Sequence, residues 1–409
     1  MKKFPVLLVI LSLNLLILAC AKEKPVLSPE KISFITGQYD HILSESNDLT
    51  QFPRTIDSNN QLVSTDIYDW TSGFFAGNLW YLFELTGDEK WKNEAVKWTE
   101  ALDTIQYWSG NHDVGFMMNC SYGNGLRLTG TEEYKKILVQ TAESLCKRYN
   151  HNTKCIESWD YRKAWNDTTE WFFPVIIDNM MNLELLFEAT RLSGNNHYTE
   201  IALQHAATTI KNHYRPDYSS YHVVDYDTIT GQVLDKATCQ GFTDESSWAR
   251  GQAWGLYGFI VCYRYTKDPK FLTFAENIAN YIIHYPGMPE DGVPYWDYNV
   301  TDTGLTPEWK YDASRFPVIP RDASAAAITC SALFELGSFS ATYGEEYKRT
   351  AERLLRSLAS PAYFGSDQNR FFILNHCVGS IPHGAEVDKP LVYADYYFLE
   401  ALLRQKAQQ

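Results

Sequence analysis

The chain has 409 residues, 45% of them hydrophobic, with 36 Lys and Arg against 50 Asp and Glu and a formal charge of −14. That is ample for a large core, and an acidic chain without basic runs excludes a nucleic-acid binder. An anionic ligand would have to be held by local cations against the overall charge.

The first twenty residues, "MKKFPVLLVILSLNLLILAC", read as a processing signal, with a basic start at Lys2 and Lys3 and a short apolar run over Val6–Leu18. The small residue before Cys20 looks like a bacterial lipobox, so Cys20 is the expected lipidated first residue of the mature chain. An ordinary secretory peptide or an anchor helix is the alternative, and the run is short for a span. The expectation is a lipid-anchored envelope protein, facing the periplasm or the cell surface, with residues 21–409 as one domain. Seven cysteines follow Cys20 without CxxC or metal-like spacing, which favours buried free thiols and predicts no disulfide and no metal.

Helical patterns begin at 29–46. Five connectors then recur: "LTGDEKW" (85–91), "LTGTEEY" (128–134), "LSGNNHY" (192–198), "YTKDPKF" (265–271) and "TYGEEY" (342–347). Each suits a left-handed C-cap followed by the start of a new helix. With the segments 29–46 and 391–405 they predict about twelve helices. Repeated hairpins suggest a solenoid or its closed form, and the predicted fold is all-α, an (α/α)6 barrel. The longer segments 107–116, 150–173, 214–247 and 286–321 follow the second helix of a hairpin. They are expected as loops gathered on one face, where a site would be built.

Trp70, Trp108, Trp159, Trp165, Trp171, Trp248, Trp254 and Trp296 concentrate in or near these loops. Flat aromatic faces with polar tips suit sugar rings, although about half of them should be core. Asp113 in "NHDVGF" and Asp178 in "VIIDNMMNLELLFEA" (175–189) each enter a predicted helix beside apolar residues. One of such a pair can be held protonated as a general acid; the alternative is helix capping. In "DESSWARGQAWGLYGF" (244–259), Trp248, Arg250, Gln252 and Trp254 alternate at a helix entrance. Arg250 is either a carboxylate-binding fork or half of a structural Arg–Asp pair. His222 and Gln240 precede it in the same loop. The segment 375–397 carries Ser380 and Lys389, which are expected either in a mobile loop or around a sulfate.

The motifs "DWTSGFFAGNLWYLFELTGD" (69–88), "HDVGF", "IIDNMMNLELL", "SYH", "WARGQAWGLYGF", "YWDY", "RDASAAAIT" and "ADYYFLEALLR" run in order through nearly the whole chain. Together they resemble glycoside hydrolase family 88, the unsaturated glucuronyl hydrolases, a family of (α/α)6 barrels. The resemblance implies an unsaturated oligosaccharide as substrate and no cofactor. It also implies Asp178 as acid and base, an ionised Asp113 beside it, and substrate contacts from Trp70, His222, Gln240, Trp248, Arg250 and Trp254. Cys239 departs from the family pattern, in which His often precedes the Gln. The implied chemistry is protonation of a C4=C5 enol ether and hydration at C5. Release of unsaturated galacturonate from rhamnogalacturonan, an (α/α)6 lyase and a non-catalytic glycan-binding lipoprotein are the competing readings. No Tyr or His base beside an Asn stands out for the lyase, and the paired carboxylates count against the binder.

Overall fold

Two kinds of helix alternate along the chain. The computed structural model describes residues 26–366 and 369–408, so the expected signal segment and Cys20 lie outside the described residues. In chain order the helices are α1 (Pro29–Glu45), α2 (Ser72–Thr86), α3 (Glu89–Glu100), α4 (Val114–Met118), α5 (Asn124–Thr129), α6 (Glu132–Cys146) and α7 (Leu183–Ser193). They continue with α8 (His197–Asn212), α9 (Ala249–Thr266), α10 (Pro269–Ile283), α11 (Ala323–Phe339), α12 (Gly344–Leu358) and α13 (Val392–Ala407). A π turn at Asn119–Gly123 joins α4 to α5 as one rod.

Helices α2, α9, α11 and α13 are buried on every face over most of their length, as helices with neighbours all round must be. The others bury one stripe, such as Trp91, Ala95 and Trp98 in α3. Sorting by burial gives an inner ring: α13 packs on α2 and α11, α11 on α9, α9 on α7, α7 on α4, and α4 on α2. The amphipathic helices α3, α6, α8, α10 and α12 each pack outside the inner helix that precedes them. This is the expected (α/α)6 barrel.

The sixth outer position is filled from the other end of the chain. Tyr39 of α1 donates to Asp395 Oδ2 of α13 at 3.0 Å, and Gln38 donates to the carbonyls of Asn369 and Phe372. Asp395, fully buried, also accepts the N–H groups of Ile373 and Leu374. One carboxylate thus ties the first helix, the last helix and the strand between them.

The connectors explain the hairpins, with two differences. Gly87, Gly130 and Gly194 take the left-handed conformation that ends a helix, at φ 72, 70 and 75°. In "YTKDPKF" Lys267 takes it at φ 56°, and Asp268 caps α10 by accepting from Lys270 N–H. In "TYGEEY" the glycine opens α12. A Cβ on Gly344 would lie 2.6 Å from the Gly337 carbonyl, so close packing against α11 selects it.

The segments expected as loops contain short antiparallel strands. Pro174–Ile176, Val223–Tyr226 and Val233–Ala237 form one sheet, while Arg162–Lys163 with Glu170–Trp171 and Cys377–Ser380 with Ala385–Lys389 form ribbons. Most strands are too short for alternation to show in sequence. The seven described cysteines are free, and all but Cys146 are buried. Among the described residues no helix is long and apolar enough to cross a membrane.

Replacing Asp395 by Ala would leave two backbone N–H groups and a tyrosine hydroxyl buried without an acceptor. Such orphans each cost about 1–3 kcal/mol. The variant is expected to lose about 3 kcal/mol or more in urea unfolding, and an unchanged midpoint would contradict this reading of the ring closure.

Candidate active site

The three-stranded sheet does the positioning. Ile176 pairs with Val223, and Ile177 N–H donates to the His222 carbonyl at 3.0 Å, so residues 178 and 222 are forced side by side. Val223 pairs with Ala237, which brings Cys239 and Gln240 up to the same edge. Their N–H groups both donate to His222 Nδ1, at 2.9 and 3.2 Å. That fixes the proton on Nε2, 3.6 Å from Asp178 Oδ2. Burial holds this imidazole neutral, its pKa well below the ordinary value.

Asp178 does not sit in the helix its apolar spacing predicts. Residues Ile177–Asn182 form a 3-10 turn, and α7 starts only at Leu183. The preceding strand delivers the chain extended, and the tighter turn lets Asp178 face the barrel mouth. Its side chain caps nothing, and Oδ2 is buried without a hydrogen-bond partner. Burial raises its pKa to about 7, against the opposing pull of Arg250 and a hydrogen bond from the Trp254 indole.

Asp113 occupies the N-cap position of α4 and also makes no capping bond. The capping alternative therefore fails for both carboxylates. Burial, then the nearby charges of Asp178 and Asp69, push Asp113 well above the carboxylate range. The ionised Asp113 expected from the family resemblance is thus disfavoured by these surroundings. Both side chains are mostly buried, 13 and 15% exposed, and the charge of Asp178 bears on Asp113, so the two titrate as a pair that keeps a proton at neutral pH.

A second neutral imidazole serves Asp113. His112 is fully buried, its pKa lowered to about 3 by desolvation and Arg148, and its Nε2 lies 3.1 Å from Asp113 Oδ1. Asn182 sets its tautomer. Phe116 N–H donates to Asn182 Oδ1 at 3.0 Å, so the amide nitrogen must face His112 Nδ1, at 3.2 Å. Nδ1 is then the acceptor and Nε2 carries the proton toward Asp113. Neither His112 nor Asn182 stands out in the sequence; the signal available was adjacency to Asp113 and a position one turn after Asp178.

Aromatic residues frame the pair. Trp70 is partly exposed and packs on Tyr393 and Phe116. Trp248 lies 4.7 Å from the His222 ring, and the Arg250 guanidinium stacks on it at 4.5 Å. Of the eight tryptophans singled out, Trp70, Trp108, Trp159 and Trp165 are half-buried, and the other four are core.

Arg250 makes the Asp contact of its structural reading. Nη1 contacts Asp322, the N-cap of α11, at 3.4 Å and also donates to the Val378 carbonyl, while Nη2 donates to the Gly379 carbonyl at 2.6 Å. Its Nε is buried and unpartnered, as is the nearby Tyr393 hydroxyl. Gln240 reaches the Gly379 carbonyl only loosely, at 3.5 Å.

Three residues expected at the site are engaged elsewhere. Gln252 is fully buried, with Oε1 accepting from Ser220 N–H and Ser247 and Nε2 donating to the Tyr218 carbonyl. Its amide clamps the 218–220 loop from within the core rather than facing the barrel mouth. Ser380 and Lys389 stand at opposite ends of their ribbon, paired with Ala385 and Cys377 respectively. Ser380 bonds His383 and Lys389 donates to the Asp57 carbonyl, so the sulfate site they were expected to share is not assembled. The mobile-loop alternative fails as well, since 377–389 is a paired ribbon tied to Arg250.

No protein-family model matches the chain. Over 415 residues it is 44% identical to an unsaturated glucuronyl hydrolase of Formosa agariphila, covering 99% of each. It is 32% identical to an unsaturated chondroitin disaccharide hydrolase of Streptococcus agalactiae, over 87% of this chain and 85% of that one. Among solved structures, an unsaturated glucuronyl hydrolase specific for heparin superposes with a TM-score of 0.85 at 43% identity, over 93% of this chain and 96% of that one. The chain belongs to the unsaturated glucuronyl hydrolases. As in that family, named glycoside hydrolase family 88 above, it is a glycosidase that acts on unsaturated oligosaccharides.

The candidate site of this unsaturated glucuronyl hydrolase lies where the inner helices begin. A separate cavity of about 630 Å³ opens at their far ends, between Glu184, Glu335, Glu400, Arg264 and Arg404. Neither Asp113 nor Asp178 lines it, and these five are joined in ion pairs.

Asn182→Leu is expected to lower kcat/KM about 100-fold, the scale of a misplaced catalytic group, with little change in KM. Folding is checked by circular dichroism, and the His112 tautomer by its ring nitrogen shifts. An unchanged rate with an altered tautomer would remove His112 from the account.

Proposed function

We propose that Asp178 is the acid and base of this unsaturated glucuronyl hydrolase. The observation that carries the reading is a buried carboxyl with an unpartnered oxygen and a pKa raised to about 7, opposite a second proton-holding carboxyl. The substrate's non-reducing sugar carries a C4=C5 double bond beside the ring oxygen, which makes it an enol ether. Asp178 gives its proton to C4, and the ring oxygen shares the resulting positive charge with C5. The new Asp178 carboxylate is stabilised by the Trp254 indole N–H, the His222 Nε2–H and the Arg250 charge. Water adds to C5 and returns a proton to Asp178. The C5 hemiketal opens, C1 becomes a hemiacetal, and its collapse to an aldehyde frees the aglycone, with one water consumed overall.

Asp113 keeps its proton in this scheme. With His112 behind it, it orients Asp178 or a substrate hydroxyl and avoids placing two negative charges together. The unpartnered Arg250 Nε and Tyr393 hydroxyl suit the uronate carboxylate, and the partly exposed Trp70 suits a sugar face. Anomeric carboxylate-spacing rules have no bearing here, because C1 is not attacked by water. The aglycone is proposed to be a glycosaminoglycan sugar, in line with relatives described as acting on chondroitin disaccharides or as specific for heparin.

Membrane attachment through a lipid on Cys20 is part of the same proposal, supported by the basic, apolar and small-residue order of the first twenty residues. Cys20→Ala is expected to move the protein from the membrane fraction to the soluble one and to abolish labelling by a fatty-acid analogue. Labelling that survives the change would refute the anchor.

Asp178→Asn keeps the shape but cannot deliver a proton. Loss should exceed the roughly 10²–10⁴-fold worth of acid–base assistance, read as failure to bleach the substrate's ultraviolet absorbance. Because the protonated form acts, wild-type kcat should fall as pH rises through about 7. More than about a tenth of the wild-type rate in the variant would sink the assignment.

A further inference from the structure

Arg162 has an unusual set of neighbours. It lies on the Arg162–Lys163 ribbon, half-buried, and Nη2 donates to His383 Nε2 at 2.7 Å. The thiol of Cys239 lies nearby, and the Arg162 guanidinium lies against the Trp159 ring at 4.9 Å. Among the described residues no carboxylate comes within 4 Å of it. Of the acids in the same segment, Glu157 and Asp160 pair with Arg148, and Glu170 accepts from Tyr161. In a chain with fourteen more negative than positive charges, a partly desolvated guanidinium facing only neutral groups is a cation held open for a ligand.

Its surroundings are built. His383 Nε2 accepts from Arg162, so Nδ1 carries the proton and donates to Ser380 Oγ at 2.6 Å. Trp165 packs on the His383 ring at 4.9 Å, and its indole N–H donates to the Cys239 carbonyl at 3.0 Å. The guanidinium is thus oriented by an imidazole that is itself oriented. Only one indole, Trp159, separates it from His222, whose ring Trp159 meets edge-on at 6.0 Å. His222 faces Asp178 on one side and this rim on the other. A sugar attached to a uronate held over Asp178 would extend outward across Trp159 and Trp165.

We propose that Arg162, flanked by Trp159 and Trp165 and braced by His383 and Ser380, is the anion subsite for the aglycone, binding a sulfate or carboxylate on the sugars beyond the scissile bond. The inference rests on the hydrolase reading above and adds which part of the substrate is selected and by which residue. It also places the anion site at Arg162 rather than at Lys389, which donates to the Asp57 carbonyl at the opposite end of the ribbon from Ser380. Ser380 keeps a role by holding His383.

The test compares kcat/KM of wild type and Arg162→Gln on unsaturated disaccharides that differ only in an N- or O-sulfate on the aglycone. An unsulfated unsaturated tetrasaccharide, whose next uronate brings a carboxylate, is the third arm. Loss of one charge-assisted contact predicts that the preference for the anionic substrate over the plain disaccharide falls about tenfold. Arg162→Lys, which keeps the charge, should keep part of that preference, and added salt should shrink it in wild type. A fall confined to sulfated disaccharides identifies a sulfate, and one confined to the tetrasaccharide a carboxylate. Equal losses on all substrates, no loss on any, or wild type preferring the plain disaccharide would each overturn the proposal. Failure of wild type to turn over any unsaturated substrate would instead refute the hydrolase reading beneath it.

Discussion

Two carboxyls are mostly withdrawn from water where neither can easily be charged, and much of the barrel mouth follows from that constraint. An ionised carboxylate loses several kcal/mol when stripped of water without partners, so such a group keeps its proton. Asp113 and Asp178 each have a neutral imidazole nitrogen nearby, at 3.1 and 3.6 Å, rather than a cation in direct contact. Both imidazoles are neutral, and both have their tautomer set by a hydrogen bond to Nδ1, from Asn182 in one case and from two backbone N–H groups in the other. A neutral donor can accept the shape of either charge state without fixing the carboxylate as ionised. A full ion pair at the same place would drain the proton that the reaction needs.

Barrel architecture supplies the electrostatic counterweight. Inner helices that each begin after an outer one all point the same way, so their N-termini converge on one mouth. Peptide dipoles make that end positive and favour negative charge, whether an anionic substrate or a carboxylate formed in turnover. Asp322 at the start of α11 uses this effect structurally and braces Arg250. At the opposite end the dipoles are negative, and Arg127, Arg191, Arg264 and Arg404 sit in the last turns of α5, α7, α9 and α13. They answer Glu84, Glu188, Glu184, Glu335 and Glu400 in ion pairs. One end is thereby left open for chemistry and the other is satisfied.

What could be read in the sequence depended on local signals. Glycines with left-handed caps and one-sided apolar stripes are local, so the hairpins, their number and the closed ring were legible. The two aspartates were legible because apolar neighbours in sequence are also neighbours in space. Gln252 was misread because alternation along a helix entrance says nothing of what lies across it, and its amide is consumed by Tyr218 and Ser220 from a distant loop. Ser380 and Lys389 failed for a similar reason: ribbon register separates residues that share a glycine-rich stretch. His112, Asn182 and Arg162 take their meaning from partners 70, 66 and 221 residues away, and no local pattern carries that.

The central claim is that a carboxyl held in the site delivers a proton to one face of C4, and the label that reports it is solvent deuterium. Turnover of an unsaturated disaccharide in heavy water, followed at early times by proton NMR, shows where that deuterium enters. Protonation by Asp178 predicts deuterium at a single one of the two C4 positions of the released sugar. Equal labelling of both positions would mean that the double bond leaves the enzyme intact and is protonated in solution, and the account would be wrong.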